Sequence, residues 1–247
     1  MSRRRKRSSA SILMEFIVDG FYTLVLLAIF VIKIVIRILT FFISMIGFYK
    51  TQYKIKSGNG FLNTYFDKGN WGEYQLYKKL TKVFGEDKLL TNIYIPSKNI
   101  DNTEIDVLGV HNGIIYCYEV KNYGGHIYGN IENKNWTQVL QFRIKNKFYN
   151  PFRQNYAHTK ALEEYLQIEE KDIMPIVVFS NCANLSNVET RNEVIHRLNE
   201  KFCVSEDLQG KLTDDVIIAK LTQNTNVCKE IKDEHIEQVN MLKEKEF

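Results

Sequence analysis

Hydrophobic residues are spread unevenly along the chain, and their spacing divides it into two parts. Residues 12–48 are almost wholly apolar, and the stretch 20–32 carries no charge. About 20 apolar residues cross a bilayer as a helix, so this region predicts one uncleaved transmembrane helix with residues to spare. A hairpin of two helices ranks second, because 31–38 contains no turn-forming residue. A buried helix of a globular domain ranks below both.

Beyond residue 56 the apolar positions alternate between helical and strand spacing, which predicts an α/β domain. The pattern predicts helices over residues 71–84, 152–167, 188–199 and about the last twenty residues. It predicts strands over 89–95, 126–131, 136–142, 174–180 and 203–205, whereas 214–221 fits either type. The segment 174–180 is nearly continuously apolar, as expected for a strand that is covered on both faces.

Two runs rich in β-branched and aromatic residues flank an Asn-Gly pair at positions 112–113, the strongest local signal for a β-hairpin. With a two-residue loop, Asp106 lies opposite Glu119, and Glu104 lies opposite Lys121. Side chains alternate between faces along a strand, so Asp106, Glu119 and Lys121 project from one face near the open end. This prediction depends on the register, because a longer loop or a bulge would offset the two acids.

Opposed carboxylates repel each other unless a cation lies between them. Asp106 and Glu119 are therefore candidate ligands for Mg²⁺ or Mn²⁺, which prefer oxygen ligands. Lys121 could orient a water molecule or stabilise developing negative charge. The alternative is an ordinary cross-strand ion pair on a solvated face.

The flanking helices add further candidates. Glu73 lies near the start of the first predicted helix, where an acidic residue is also favoured by the helix dipole alone. Gln154 and His158 are four residues apart and share a helix face. The glutamine amide could bond a phosphate, a base or the lysine, whereas for His158 a plain polar face is the favoured interpretation.

Composition constrains the partners. The net charge of +4 permits nucleic acid as a partner without arguing for it. Four widely spaced cysteines without a CxxC pair argue against a zinc site or a disulfide framework, and favour a reducing compartment. Basic and aromatic residues interleave over 134–152, which predicts either a nucleic-acid contact or a solvated strand edge. The candidates for contact are Lys134, Trp136, Arg143, Lys145 and Lys147.

Several ordered motifs together resemble the NERD family, the nuclease-related domain, over residues 67–180. They are Gly69-x-x-Gly72-Glu73, Thr103-Glu104-Ile105-Asp106, Glu119-Val120-Lys121-Asn122-Tyr123-x-Gly125, Trp136 and Asn150-Pro151-x-x-Gln154-Asn155. The resemblance implies the restriction-endonuclease-like fold of the PD-(D/E)xK superfamily, a mixed β-sheet flanked by helices.

The resemblance also implies metal-dependent phosphodiester hydrolysis. Asp106 matches the metal-binding aspartate, Glu119 and Lys121 match the (D/E)xK pair, Glu73 matches the acid on the first helix, and Gln154 matches a glutamine on the later helix. Two positions depart from the superfamily pattern. Ile105 stands where proline is common, and His158 stands where related nucleases have tyrosine.

The expected organisation is a basic N-terminus and anchor (1–56), a linker (57–66), the NERD core (67–180) and a C-terminal α/β extension (181–247). The expected function is a membrane-anchored, Mg²⁺- or Mn²⁺-dependent nuclease, with DNA favoured over RNA and metal ligands from Glu73, Asp106 and Glu119. The alternative is a non-catalytic nucleic-acid-binding or adaptor module at the membrane. The catalytic domain is expected in the cytoplasm, although basic residues flank both ends of the span and a single span cannot keep both inside.

Overall fold

The computed structural model describes residues 9–96, 102–190 and 194–225. It divides into two compact units, residues 1–50 and 51–247. The described part of the first unit is one continuous helix, α1 (Ser9–Tyr49), rather than a helical hairpin. Within it, Met14–Tyr49 is long and apolar enough to cross a membrane. At 1.5 Å per residue the 41 residues extend about 60 Å, roughly twice the thickness of a hydrocarbon core.

The second unit is mixed α/β, as the spacing of apolar residues predicts. Its helices are α2 (Tyr53–Ser57), α3 (Phe61–Phe66), α4 (Lys68–Phe84), α5 (Pro151–Leu166) and α6 (Asp214–Thr225). Its strands are β1 (Leu89–Pro96), β2 (Asn102–His111), β3 (Ile114–Lys121), β4 (Gly125–Asn130), β5 (Asn135–Val139), β6 (Lys145–Tyr149), β7 (Ile173–Phe179), β8 (Ala183–Glu189) and β9 (Val194–Arg197).

The larger sheet has the strand order β1-β2-β3-β7-β9. Strands β1 to β3 are antiparallel, and β7 and β9 continue the sheet in parallel with β3. The chain reaches β7 from β3 through the smaller sheet and α5, which gives the parallel pair the long crossover that it needs. The result is the predicted mixed sheet.

Helices cover both faces of this sheet. Leu162 of α5 and Ile217 of α6 pack into one core with Leu108 and Cys117. On the other face, the ring of Phe84 in α4 lies against Tyr116. The approach is so close that a Cβ on Gly109 would lie 2.8 Å from that ring, which explains a glycine in mid-strand. This layered packing fixes the ends of β2 and β3 between α4 and α5.

The smaller sheet has the order β6-β5-β4-β8 and forms a second core. Trp136 of β5 is 1% exposed and lies against Phe148, Phe152 and Phe179. Its indole nitrogen donates to the carbonyl oxygen of Asn130 at 2.9 Å. A buried indole that finds a hydrogen-bond partner is a structural residue.

The predicted hairpin has the predicted loop. Asn112 and Gly113 adopt φ values of 51° and 76°, as a two-residue turn with two left-handed residues requires. His111 pairs with Ile114, and the pairing continues to Val107 opposite Tyr118. The register is therefore the one predicted from the sequence. The backbone pairing of β2 with β3 ends at Val107 and Tyr118, one residue before Asp106 and Glu119.

The C-terminal third differs from the prediction. Residues 188–199 were expected to be helical, but they contain the end of β8 and all of β9, because these strands pair with β4 and β7. Residues 203–205 form no strand, and the ambiguous segment 214–221 belongs to α6. The expected linker contains α3, whose Phe61 and Thr64 are buried. Residues past 180 contribute strands to both sheets.

Some predictions fall on residues outside the described ranges. The basic cluster at 3–7 is one of them, and so is the predicted charged helix over the last twenty residues.

Candidate active site

Asp106 lies where β2 and β3 separate. Its Oδ2 accepts a hydrogen bond from the backbone N–H of Val120 at 2.8 Å. Its own backbone oxygen accepts from the Thr91 hydroxyl at 2.8 Å. The Asp106 side chain thus replaces a backbone hydrogen bond between β2 and β3. Its carboxylate holds the two strands together where their backbone pairing has ended.

Asn92 interrupts β1 opposite this point. It is a non-glycine residue with a φ of 51°, in the left-handed region that asparagine tolerates better than most residues. Its side-chain amide donates to Glu73 Oε2 at 3.1 Å and to Glu104 Oε1 at 3.0 Å. One amide therefore holds a carboxylate of α4 beside a carboxylate of β2, using one oxygen of each.

Glu119 is fully buried and has a partner on each oxygen. Lys121 Nζ lies 2.5 Å from Oε1, and His158 Nε2 lies 3.1 Å from Oε2. The other ring nitrogen of His158 lies 2.9 Å from the Thr103 hydroxyl. If Nε2 donates to Glu119, then Nδ1 accepts from Thr103. His158 is thus part of the site, where a plain polar face was expected.

Lys121 is held on a second side by α5. Its Nζ donates to Gln154 Oε1 at 3.0 Å. Gln154 is on the first turns of a helix that begins at Asn150, whose side chain accepts from the N–H of Phe152. The structure therefore brings Gln154 to the lysine, which is one of the partners expected for it.

The charges of this cluster act strongly on each other. Burial and the neighbouring Glu104 raise the pKa of Glu73 from 4.5 to about 7. Burial, then the charges of Glu119 and Glu73, raise the pKa of Asp106 well above its usual range. Burial opposes ionisation of Glu119, but Lys121 and His158 outweigh it and keep its pKa below the ordinary value. The surroundings therefore favour the ionised form of Glu119 and oppose the ionised forms of Glu73 and Asp106.

Burial also acts against the charge on Lys121, but Glu119 and Asp106 outweigh it. The pKa of Lys121 is consequently raised, and the side chain is an ammonium ion at neutral pH. Its side chain is 15% exposed. A partly accessible, permanently charged lysine suits the stabilisation of an anion and does not suit a general base.

A cleft of about 640 Å³ opens over this cluster, between α3, α4 and the ends of β1 and β2. Its acidic lining residues are Asp67, Glu73, Glu104 and Asp106. Its other lining residues are amides and apolar side chains: Asn59, Asn63, Asn70, Asn92, Leu62 and Phe66. Solvent thus reaches two of the three predicted metal ligands, Glu73 and Asp106.

Comparisons with known proteins agree with this geometry. Residues 68–180 match the family model described as the nuclease-related domain, NERD. An uncharacterized protein of Bacillus anthracis is 30% identical over 154 residues, which cover 61% of this chain and 72% of the relative. The chain belongs to the NERD family. No solved structure matches the chain.

The matched range of this NERD protein begins at α4 and ends directly after β7. It therefore contains every residue of the cluster around Asp106, including Asn92, Glu104 and His158. The helix α1 lies outside the match. The general fold of the family is that of the PD-(D/E)xK superfamily, as the mixed sheet indicates.

The donor set of the NERD site fits Mg²⁺ or Mn²⁺. The cleft offers carboxylate oxygens from β2, from α4 and from Asp67, and the buried Glu119 of β3 lies behind them. Hard cations prefer such ligands to nitrogen or sulfur. Burial, and then the neighbouring carboxylates, raise the pKa values of Glu73 and Asp106, so a bound cation would favour their ionised forms. In the described ranges, however, no three acidic or imidazole groups already form a metal cage.

The predicted nucleic-acid contacts fall into two classes. Lys134, Arg143, Lys145 and Lys147 are exposed, and the last two lie on one face of β6, the edge strand of the smaller sheet. Trp136 does not belong with them. It is buried in the second core, so the expectation that it stacks on bases is wrong for this conformation.

Reasoning from the sequence missed three members of the site: Asn92, Glu104 and His158. Glu104 was placed opposite Lys121 in the register but not in the site, although alternation puts it on the same face of β2 as Asp106. Asn92 gave a weak signal, an asparagine between Thr91 and Ile93 in an apolar strand. His158 was noted one helical turn after Gln154, at a position where related nucleases have tyrosine, but a plain polar face was the favoured interpretation.

Proposed function

We propose that this NERD protein is a membrane-anchored, Mg²⁺- or Mn²⁺-dependent nuclease that hydrolyses phosphodiester bonds. One observation carries the proposal: Glu73 and Asp106 open into a cleft directly beside a buried Glu119–Lys121 pair. A structural ion pair would account for Glu119 and Lys121 alone. It would not account for two further acids whose ionisation the fold opposes.

Each residue has a separate task in this proposal. Glu73, Asp106 and Glu119 would hold the cation, which would supply neutralising charge and lower the pKa of a bound water molecule. Lys121 donates to a non-bridging oxygen of the phosphate and stabilises the charge that develops there. Gln154 holds the ammonium group of Lys121 at the position from which it can do so.

His158 and Asn92 keep the acids in position. His158 fixes Oε2 of Glu119 and is itself fixed by Thr103. Asn92 sets the separation of Glu73 and Glu104. Such partners typically affect metal affinity or activity 10- to 100-fold when removed.

The nucleic acid approaches with its backbone along the exposed basic residues of β6 and its neighbours. Phosphate contacts of this type are independent of sequence and weaken with salt. DNA is the favoured substrate, and α1 anchors the enzyme with its catalytic unit in the cytoplasm. Protease added to sealed vesicles should therefore leave residues 60–247 intact, and their degradation from the outside would contradict this orientation.

The nuclease assay compares the full chain in detergent with Lys121→Ala and Lys121→Arg on DNA and RNA strands, with Mg²⁺, Mn²⁺ or EDTA. Metal-dependent cleavage by the wild type, reduced at least 100-fold in Lys121→Ala, supports the proposal. Metal-independent binding without cleavage in all three proteins would identify a non-catalytic binding module instead.

A further inference from the structure

The outer part of the cleft differs from its floor. Phe66 is 74% exposed and Leu62, one turn earlier on α3, is 58% exposed, and both line the same cleft as Glu73 and Asp106. Apolar and aromatic side chains that line a cleft beside a few polar groups are typical contact surfaces for a ligand. Here they form one short apolar wall, which we call the α3 wall, made of Leu62 and Phe66.

The α3 wall is held rigidly. The opposite side of α3 is anchored by Phe61 and Thr64, which are buried. The ring of Tyr65 packs edge-on against Trp71 of α4, with 5.1 Å between the ring centres. Asp67, directly after Phe66, caps α4 by accepting from the N–H of Asn70 at 2.8 Å. Phe66 is thus an exposed ring on a fixed backbone, and little conformational freedom is lost when something packs on it.

The charges of the cleft restrict what can pack there. Its described lining contains four carboxylates and no lysine or arginine, so a phosphate group is repelled there unless a cation is bound. An uncharged, flat group is not repelled. Asn63, next to Leu62 in the wall, offers both a donor and an acceptor at the rim, as base edges require.

We propose that the α3 wall is a stacking platform for one unpaired nucleobase, whose phosphate extends to the cleft floor at Glu73 and Asp106. This inference rests on the proposed nuclease function and names its substrate class: a strand with unpaired bases at the cleavage point. A base inside a duplex is stacked on both faces, so it cannot lie on Phe66 without leaving the helix.

A bilayer surface is the competing occupant, because α3 follows the membrane-spanning helix in the sequence. The neighbours of the wall favour a base. Four asparagines and four carboxylates in the same cleft would lose their hydration against a lipid surface.

The experiment measures binding of short labelled oligonucleotides to the full chain in detergent by fluorescence anisotropy, with Ca²⁺ as the divalent ion. Phe66→Ala should weaken binding of a single strand roughly 5- to 150-fold, the range for loss of one base–aromatic stack. Phe66→Trp should keep the affinity, since it restores the ring. Tyr156→Ala is the matched control, because Tyr156 is an exposed aromatic residue of α5 outside the cleft.

An abasic scan completes the test. Removing one base at successive positions should locate a position at which wild-type binding weakens and Phe66→Ala has no further effect. Equal binding of wild type and Phe66→Ala at every position would overturn the inference while leaving the nuclease proposal intact. If the wild type binds no nucleic acid at all, the nuclease proposal itself fails and the platform fails with it.

Lipid contact has its own signature. In nanodiscs with brominated lipids, Phe66→Trp should show no more tryptophan quenching than the wild type. Additional quenching would place residue 66 in the bilayer and overturn the inference.

Discussion

Lys121 Nζ lies 2.5 Å from Oε1 of Glu119, two residues earlier on the same strand, and the carboxylate of Glu119 is fully buried. A buried pair of this kind is fixed by its partners, since neither charge can be left alone without a large penalty. Glu119 has His158 as a second partner, and Lys121 has Gln154. The (D/E)xK pair is therefore held in place at the back of the site, with Lys121 partly accessible, beside an acidic floor that is open to solvent.

Removing the lysine should affect stability as well as activity. Lys121→Ala leaves Glu119 buried without its cation, a change that typically costs about 3–5 kcal/mol. The double variant Lys121→Met with Glu119→Gln should recover much of the melting temperature but no activity. Thermal unfolding of the full chain in detergent measures this. Lys171→Ala, in an exposed ion pair with Glu169, is the control and should leave the melting temperature nearly unchanged. Equal melting temperatures for Lys121→Ala and the wild type would contradict the buried pair.

His158 should matter through Glu119. His158→Ala removes the donor to Oε2 and should cost about 1–3 kcal/mol of stability, the range for an unsatisfied buried partner. It should also weaken Mn²⁺ binding 10- to 100-fold, measured by calorimetric titration. His158→Gln keeps a donor and should recover part of both losses. His126, exposed on β4, serves as the control position. An unchanged Mn²⁺ affinity in His158→Ala would remove it from the site.

The metal-free protein should lose stability as the pH rises through 7. The pKa of Glu73 is about 7 in the folded protein and 4.5 when unperturbed. The folded state therefore binds the proton more tightly, and this contribution is complete below about pH 4.5 and is lost as the pH rises through about 7. Glu73→Gln should flatten the dependence of the melting temperature between pH 5.5 and 8.

Divalent cations should reverse this trend, because they compete with the proton for the same carboxylates. Mg²⁺ should raise the melting temperature more at pH 8 than at pH 5.5. A larger Mg²⁺ effect at pH 5.5 would be inconsistent with a carboxylate site.

Substitutions in the basic edge strand β6 and at Trp136 should have opposite effects on nucleic-acid binding and on stability. The double variant Lys145→Ala with Lys147→Ala should keep the melting temperature and weaken nucleic-acid binding, with the salt slope lowered by about 1 per lysine. Trp136→Ala should do the opposite. It removes the largest side chain of the second core and should cost about 3–5 kcal/mol, with the affinity of the folded fraction unchanged. Salt-dependent anisotropy and thermal unfolding measure the two effects, and Trp136→Phe is the milder comparison.

Local patterns predicted the parts of the fold that depend on local chemistry. The Asn-Gly turn determined the hairpin register, and the apolar run at 174–180 predicted β7, because both signals are local. Residues 188–199 were misread as a helix. Their Glu, Arg and Leu residues favour a helix, but pairing of β8 with β4 and of β9 with β7 overrides that preference.

The site likewise contains residues that local sequence signals predict and residues that they do not. Asp106, Glu119 and Lys121 follow from the hairpin, and Glu104 shares the face of Asp106 two residues away on β2. Asn92, in contrast, reaches the cleft at a point where the regular pairing of β1 with β2 lapses. The β1–β2 register passes from Thr91–Val107 to Ile93–Ile105 and omits Asn92 and Asp106. Strict alternation cannot foresee a left-handed asparagine in mid-strand. The burial of Trp136 likewise depends on α5 and β7, which are distant in sequence.

The most direct test of the account is the hydrolysis rate of Asp106→Asn beside the wild type, on a single-stranded substrate with Mg²⁺ and with EDTA. Asparagine preserves the shape and still accepts from the Val120 amide, so the fold should survive while the ligand charge is lost. We expect Mg²⁺-dependent cleavage by the wild type, no cleavage in EDTA, and a rate at least 100-fold lower in Asp106→Asn. Cleavage that is equally fast in both proteins, or a wild type inert with every divalent ion, would contradict it.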